Sequence, residues 1–269
     1  MTTQPIDQIA FRALRAERLD DVLRVTISHP QSAVNAVDDL LHAELTSLFS
    51  LLRRERSARA VILTAAGRAF SAGGDYGWFP SLHSMERLHE LRADAKQLIW
   101  DLVDIELPVV AAINGPAVGL GATIVLLCDL IIAADSATIA DPHVRVGIVA
   151  GDGGTAIWPL LVGPARAKEY LLTGDHLTAR EAERIGLINR VVEPDDLQEA
   201  ALEAARRLAA LPPLAVQYTK AAVNKLVKDA LNLSFDFAAG HELVTLLSED
   251  HKEALAAVAE NRQPRFRGH

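Results

Sequence analysis

Two glycine-rich turns carry the densest chemical signal in the chain. Residues 67–75 read Gly-Arg-Ala-Phe-Ser-Ala-Gly-Gly-Asp and follow the apolar run Ala60–Thr64. Residues 113–121 read Ile-Asn-Gly-Pro-Ala-Val-Gly-Leu-Gly and lead into an apolar stretch ending at Cys128-Asp129. Each turn can bring an unpaired backbone N–H to one point. The second adds the positive end of a helix beginning near Gly119 or Leu120. Two such donors suit a thioester oxygen that gains negative charge during reaction. Taken singly, either stretch also reads as a tight strand-to-helix turn that uses glycine for bending and close packing.

The elements that must position these turns follow from periodicity. Ile9–Leu14 and Val22–Ile27 read as paired strands about a turn at Arg18–Asp21, and Asp38 or Asp39 can cap a helix carrying Leu41, Leu45, Leu48 and Leu52. Ala60–Thr64 is a short buried strand, Ser84–Val103 a helix and Leu107–Ile113 a strand; Asp129–Ala134 and Ala137–Ala140 are two more short strands. This alternation predicts an α/β layer structure. After Pro159 the pattern is almost wholly helical. Thr178 and Glu181 have capping-box spacing with Gly186 ending that helix, Leu187–Val192 is a last strand, and Pro194-Asp195 and Pro212-Pro213 each start a helix. A core over residues 1–194 and a helical appendage over 195–269 are expected. The appendage's apolar faces, with no sheet left to cover, argue for contacts between subunits.

Composition narrows the function classes. The 269 residues are 50% apolar, as in a soluble globular protein with a large core. A formal charge of −8 disfavours a nucleic-acid surface or polybasic membrane contact. The single Cys128 permits no intrachain disulfide framework and supplies no metal-site spacing, so no metal is expected. No uninterrupted segment approaches the ~20 apolar residues of a spanning helix. The first residues lack an apolar signal core, so a cytoplasmic location is expected.

The two glycine turns in this order resemble the enoyl-CoA hydratase/isomerase, or crotonase, family. So do the Asp129–Ala134 stretch, Asn35-Ala36, Asp141-Pro142, Gly151–Thr155, residues 171–182 and residues 248–254. The resemblance spans almost the whole chain. It implies a spiral of ββα units with a C-terminal helical region that packs into a homotrimer, or a hexamer built as a dimer of trimers. It also implies an acyl-CoA substrate, with coenzyme A entering as part of that substrate and no separate cofactor.

The same resemblance assigns the site. It carries the oxyanion hole onto the backbone N–H groups of Gly74 and Leu120; a core leucine at a helix start is the other reading of Leu120. It places coenzyme A contacts at Arg68, Ala72 and Asp75, although Arg68 also reads as an exposed solubilising residue. Tyr76, Trp78 and Phe79 fall where relatives line the acyl pocket, with ordinary core packing as the alternative. Hydration of a double bond, the family's default reaction, uses two glutamates as base and acid. At those positions this chain has Thr123 and His143. The Thr123 hydroxyl can position water or a substrate group, or bond back to the helix backbone at i−4. With an ordinary pKa of ~6.5, His143 can exchange protons near neutrality, or it is a partly exposed polar loop residue. Asp152 is the remaining acidic candidate: a base or nucleophile, an N-cap for a helix starting near Gly153, or both. Three functions therefore stay open: an enoyl-CoA hydratase, an enoyl- or dienoyl-CoA isomerase or acyl-CoA hydrolase using Asp152 and His143, and a non-catalytic acyl-CoA-binding protein.

Overall fold

The computed structural model describes residues 4–269. It opens with a hairpin of β1 (Leu14–Leu19) and β2 (Val22–Ile27), antiparallel from Leu14↔Ile27 to Leu19↔Val22. Asp20 takes the left-handed conformation at the turn, which aspartate tolerates better than most residues. The first strand therefore lies later than the expected Ile9–Leu14. The hairpin register uses up β2 at Leu14, so residues further upstream have no strand to pair with, and Ile6–Gln8 form a short 3-10 turn instead.

The other expected elements are present. Helix α1 (Asp39–Leu52) is capped by the Asp38 carboxylate on the Leu41 N–H, and α2 (Met85–Val103) by Ser84 on Arg87. Between them runs β3 (Ala60–Ala65), buried at every residue. There follow β4 (Val109–Ile113), the short β5 (Ala117–Val118), α3 (Leu120–Leu126), β6 (Leu130–Ala134) and β7 (Thr138–Ala140). The second half contains α4 (Gly154–Thr173), broken at Gly163, then β8 (Leu177–Thr178), α5 (Ala179–Arg184), β9 (Arg190–Val192), α6 (Leu197–Ala209), α7 (Pro213–Leu246) and α8 (Glu249–Ala259). Thr178 caps α5 through the Glu181 N–H. Glu181 turns its own carboxylate to Arg184 rather than back to the cap.

Six strands form one sheet in the order β1-β2-β3-β4-β6-β9, parallel from β2 onward, and β5-β7-β8 form a second. Alternate side chains of the large sheet feed two cores, as the pleat requires. Val61, Leu63 and Ala111 face the main core with α1 and α2; Ala60, Ile62, Val110 and Ala112 face the other way. That second face is covered by Leu197, Ala201, Ala204 and Ala205 of α6. Small side chains let α6 lie close on the strands. The expectation of no sheet left to cover after residue 195 therefore fails for α6.

Of the helices after residue 195, α7 packs mainly on α4 and α2, and α8 on α7 and the turn at His143–Val146. One stripe of the 34-residue α7, Leu231, Phe235, Ala238, Ala239 and Leu246, is buried, and Phe235 meets Trp100 of α2 edge-on at 4.9 Å. The opposite face leaves Leu233 86% and Phe237 71% exposed. Among the described residues, no helix is long and apolar enough to cross a membrane. Because Phe235 anchors α7 to α2, Phe235→Ala should lower the unfolding free energy by ~3–5 kcal/mol in a urea titration. A change below ~1 kcal/mol would show that α7 docks through other contacts.

Candidate active site

The two glycine turns are joined by backbone pairing. Ser71 donates to Pro116 O and Val118 donates to Ser71 O, which locks the turns side by side. On the first, Val37 N–H bonds Gly73 O and Asp75 N–H bonds Val37 O, so the intervening Gly74 N–H points away from Val37. On the second, Gly119 lies at φ 55° and ψ −123°, a conformation open in practice to glycine alone, and its N–H is taken by Ala140 O. Leu120 then begins α3 with its N–H free of the helix ladder. Among the described residues neither the Gly74 nor the Leu120 N–H has a protein acceptor. Both residues line a cavity of about 80 Å3, together with His143, Asp152 and Glu242.

His143 begins the 3-10 turn His143–Val146 immediately after β7 and Asp141-Pro142. Its Nδ1–H donates to the fully buried Asp141 carboxylate, and its Nε2 faces Asp152 Oδ2 at 3.6 Å. The side chain is 13% exposed, so the exposed-loop reading does not hold. A methyl group on Gly119 would touch the imidazole Cε1 at 3.4 Å, so the ring sits against the turn that presents Leu120.

Asp152 stands one residue before the α4 cap, which is Gly153. Its Oδ1 accepts from the Thr123 hydroxyl at 2.9 Å and, at a longer 3.3 Å, from the Gly154 N–H. Its Oδ2 is buried without a hydrogen bond. The N-cap reading thus survives only as a weak turn bond. Both expectations for Thr123 are corrected. One turn after Leu120 and wholly buried, its hydroxyl neither bonds back along the helix nor lines the cavity; it donates to the Asp152 carboxylate.

Glu242 was not expected from sequence. It projects from α7 into the same cavity, with its side chain against Gly151, where any Cβ would collide with it. The signal was available: 235, 238, 242 and 246 follow helical spacing, so a glutamate occupies one position of an otherwise apolar buried stripe.

Charge decides what these groups can do. Burial would hold His143 neutral, but the charges of Asp141 and Asp152, together with the Asp141 hydrogen bond, overcome it and raise the pKa to about 10. The expected titration near neutrality is therefore replaced by a persistent imidazolium. Burial pushes Glu242 up to about 8, with repulsion from Asp152 and Asp141 adding to it against the pull of His143. Burial, aided by Asp141, also raises Asp152, against His143 and the bonds from Thr123 and Gly154. At neutral pH the cavity holds an imidazolium at His143 and a protonated Glu242, beside an Asp152 carboxyl whose proton affinity is raised. Environments that push such groups apart mark acid and base roles. Donor atoms of Asp141, His143 and Asp152 lie within 4.8 Å of one another, close enough for a cation, which would have to compete with the imidazolium for both carboxylates.

The remaining expected residues lie outside this cluster. Arg68 and Ala72 are exposed, and Asp75 accepts from the Gly77 N–H at 2.7 Å. Trp78 and Phe79 line the cavity, whereas Tyr76 is 50% exposed. Cys128 is buried, its thiol pKa raised by desolvation.

Comparison with known proteins agrees with this architecture. The chain matches the enoyl-CoA hydratase/isomerase family over residues 17–269. A crotonyl-CoA hydratase of Syntrophomonas wolfei is 32% identical over 259 residues, which cover 96% of this chain and 99% of the relative. A solved enoyl-CoA hydratase/isomerase from Mycobacterium paratuberculosis has a TM-score of 0.87 at 37% identity, covering 91% of this chain and 98% of that one. A β-diketone hydrolase from the cyanobacterium Anabaena, solved with (S)-3-oxocyclohexyl acetic acid bound, has a TM-score of 0.85 at 30% identity with the same coverage. The chain belongs to the enoyl-CoA hydratase/isomerase family and has its α/β crotonase fold with a C-terminal helical region.

The charge assignments carry a stability signature. Glu242 has a folded pKa of about 8 against an ordinary 4.5, so the folded state keeps a proton that the unfolded chain releases. Stability then falls as pH rises from about 4.5 to about 8. The contribution of His143 is full below its ordinary 6.5 and is lost as pH rises through about 10. Melting temperatures followed across this range should therefore decline. Glu242→Gln should flatten the part below pH 8 and melt above the wild type beyond it. An unchanged slope would place the Glu242 carboxyl in an ordinary, solvated setting.

Proposed function

We propose that the chain is an acyl-CoA enzyme that holds a thioester carbonyl on the N–H groups of Gly74 and Leu120, stabilises the enolate formed there, and moves protons with Asp152 and Glu242. One observation carries this reading. Asp152 Oδ2 is unpaired and faces a charged imidazole in the cavity that also holds a protonated Glu242 and two free N–H donors. Asp152 takes a proton from the carbon next to the carbonyl. Burial raises its proton affinity above that of an ordinary aspartate, which makes it a stronger base. Glu242 supplies a proton to the carbon that must regain one. The His143 imidazolium keeps its proton and lends positive charge beside the enolate oxygen. Asp141 and Thr123 act as positioning residues, orienting His143 and Asp152 respectively. A reaction that removes a proton at one carbon and returns one at another, such as double-bond isomerisation, needs no further group. Coenzyme A enters only as part of the substrate.

A second reading is hydrolysis of a carbon–carbon bond between two carbonyls. The charged His143 between carboxylates, with Glu242 able to reprotonate an enolate leaving group, suits that chemistry, and one similar solved protein is a β-diketone hydrolase. There Asp152 would activate water instead of a C–H bond. Under either reading the exposed apolar face of α7, with Leu226, Leu233 and Phe237, supports assembly into a homotrimer or a pair of trimers.

The test is product mass spectrometry in heavy-oxygen water with a panel of crotonyl-CoA, a β,γ-enoyl-CoA and a cyclic β-diketone. The first reading expects a shifted double bond at unchanged mass from the β,γ-enoyl thioester and slow hydration of crotonyl-CoA. The second expects a ring-opened keto acid carrying the heavy oxygen. Asp152→Asn should reduce the true reaction by ~10²–10⁴-fold and Thr123→Ala by less. Efficient hydration of crotonyl-CoA with full activity in Asp152→Asn would reject both readings.

A further inference from the structure

Two polar groups in the cavity wall take no part in the proton chemistry. His42, on α1, is 6% exposed and lines the cavity, and among the described residues its ring nitrogens make no hydrogen bond. Trp78 lines the same cavity, and its Nε1–H is buried without an acceptor. The two rings lie 6.1 Å apart between centroids. Around them the wall is apolar: Val37, Phe79, Leu82, Leu91 and Ile99. A buried donor without a partner is rare and unfavourable, and the Trp78 Nε1–H, with the unbonded His42 ring beside it in one apolar wall, calls for an explanation. Neither residue shares an element with Asp141, His143, Asp152 or Glu242.

The chemistry of the missing partner can be narrowed. Burial lowers the pKa of His42 against the pull of Asp94 and Asp39, so the ring is neutral at neutral pH and offers one donor and one acceptor. Trp78 can only donate. The charges that act on the His42 ring are the carboxylates of Asp94 and Asp39, which disfavour a carboxylate or phosphate beside it. A neutral oxygen fits: it accepts from Trp78 and from the imidazole N–H, and a hydroxyl can also donate to the imidazole.

We propose that His42 and Trp78 form a polar subsite in the acyl pocket that binds a ketone or hydroxyl oxygen of the substrate remote from the reacting carbonyl, so that the preferred substrates are short oxygenated acyl groups. This rests on the reading that the reacting thioester carbonyl is held by Gly74 and Leu120. A site built to hydrogen-bond an oxygen rejects an analogue lacking it strongly, because its own polar groups are then left unpaired.

The test uses calorimetric binding of levulinyl-CoA, which carries a ketone near the chain end, against pentanoyl-CoA, which lacks it. Levulinyl-CoA should bind the wild type at least about tenfold more tightly, as expected for one or two ordinary hydrogen bonds. Trp78→Phe and His42→Phe should each bring the ratio of the two affinities towards one, while His42→Gln, which keeps an N–H, should restore part of it. Thermal melts identify any variant whose fold has failed, leaving the others to decide. Equal affinities in the wild type, or a ratio unchanged in all three variants, would overturn the subsite and leave the carbonyl site standing. Gly74→Pro separates the two ideas: it should weaken both thioesters alike. If neither thioester binds the wild type, the reading of the carbonyl site fails and the subsite falls with it.

Discussion

The site depends on one electrostatic constraint: Asp141, Asp152 and Glu242 share a small buried volume with a single imidazole. Like charges brought together away from water cannot all persist, so the cluster must keep protons on some of its members. His143, held by Asp141 at one ring nitrogen and facing Asp152 with the other, takes the role of permanent cation. Glu242 stays protonated at neutral pH. Asp152 is anchored by Thr123 at one oxygen and leaves the other unpaired. Removing any one member would redistribute charge among the rest, so the residues act as a unit whose individual effects do not add.

Backbone shape makes this crowding possible. The turn at residues 151–154 passes so close to Glu242 at Gly151, and to the Asp141 carboxylate at Gly154, that a side chain at either position would collide with them. This turn starts α4 and packs over the buried Thr123 of α3, whose first residue offers a free N–H to the cavity. The free Leu120 N–H and the Asp152 carboxylate are thereby held by two adjoining helix starts. The far C-terminal helix completes the site, since α7 docks through Phe235 and its alanines and delivers Glu242 one turn further along the same stripe.

Much of this was legible in the residues. Alternation and capping signals located α1, α2, α5 and most strands, because those elements are set by local pattern. The family resemblance carried by the paired glycine turns pointed to Gly74 and Leu120, whose N–H groups the fold leaves without protein acceptors among the described residues, and the departures at Thr123 and His143 directed attention to Asp152. Three features were not legible for physical reasons. The start of β1 at Leu14 depends on where its partner strand ends. The pKa of His143 depends on two carboxylates whose geometry relative to the ring is set only by the fold. Glu242 enters the site by tertiary docking of α7, and its one sequence mark, a carboxylate on an apolar helical stripe, gains meaning only once that stripe is known to be buried. The covering of the sheet by α6 was missed because an alanine-rich face gives a weak apolar signal.

The central claim is that His143 is a fixed cation and that Asp152 and Glu242 carry the moving protons. The most direct measurement is nitrogen NMR of the His143 ring followed with pH, assigned by comparison with His143→Gln. Both ring nitrogens should be protonated through neutrality, with the imidazole titrating near pH 10. A neutral ring at pH 8 with a midpoint near the ordinary 6.5 would contradict the account and return His143 to the role of a proton-exchanging base.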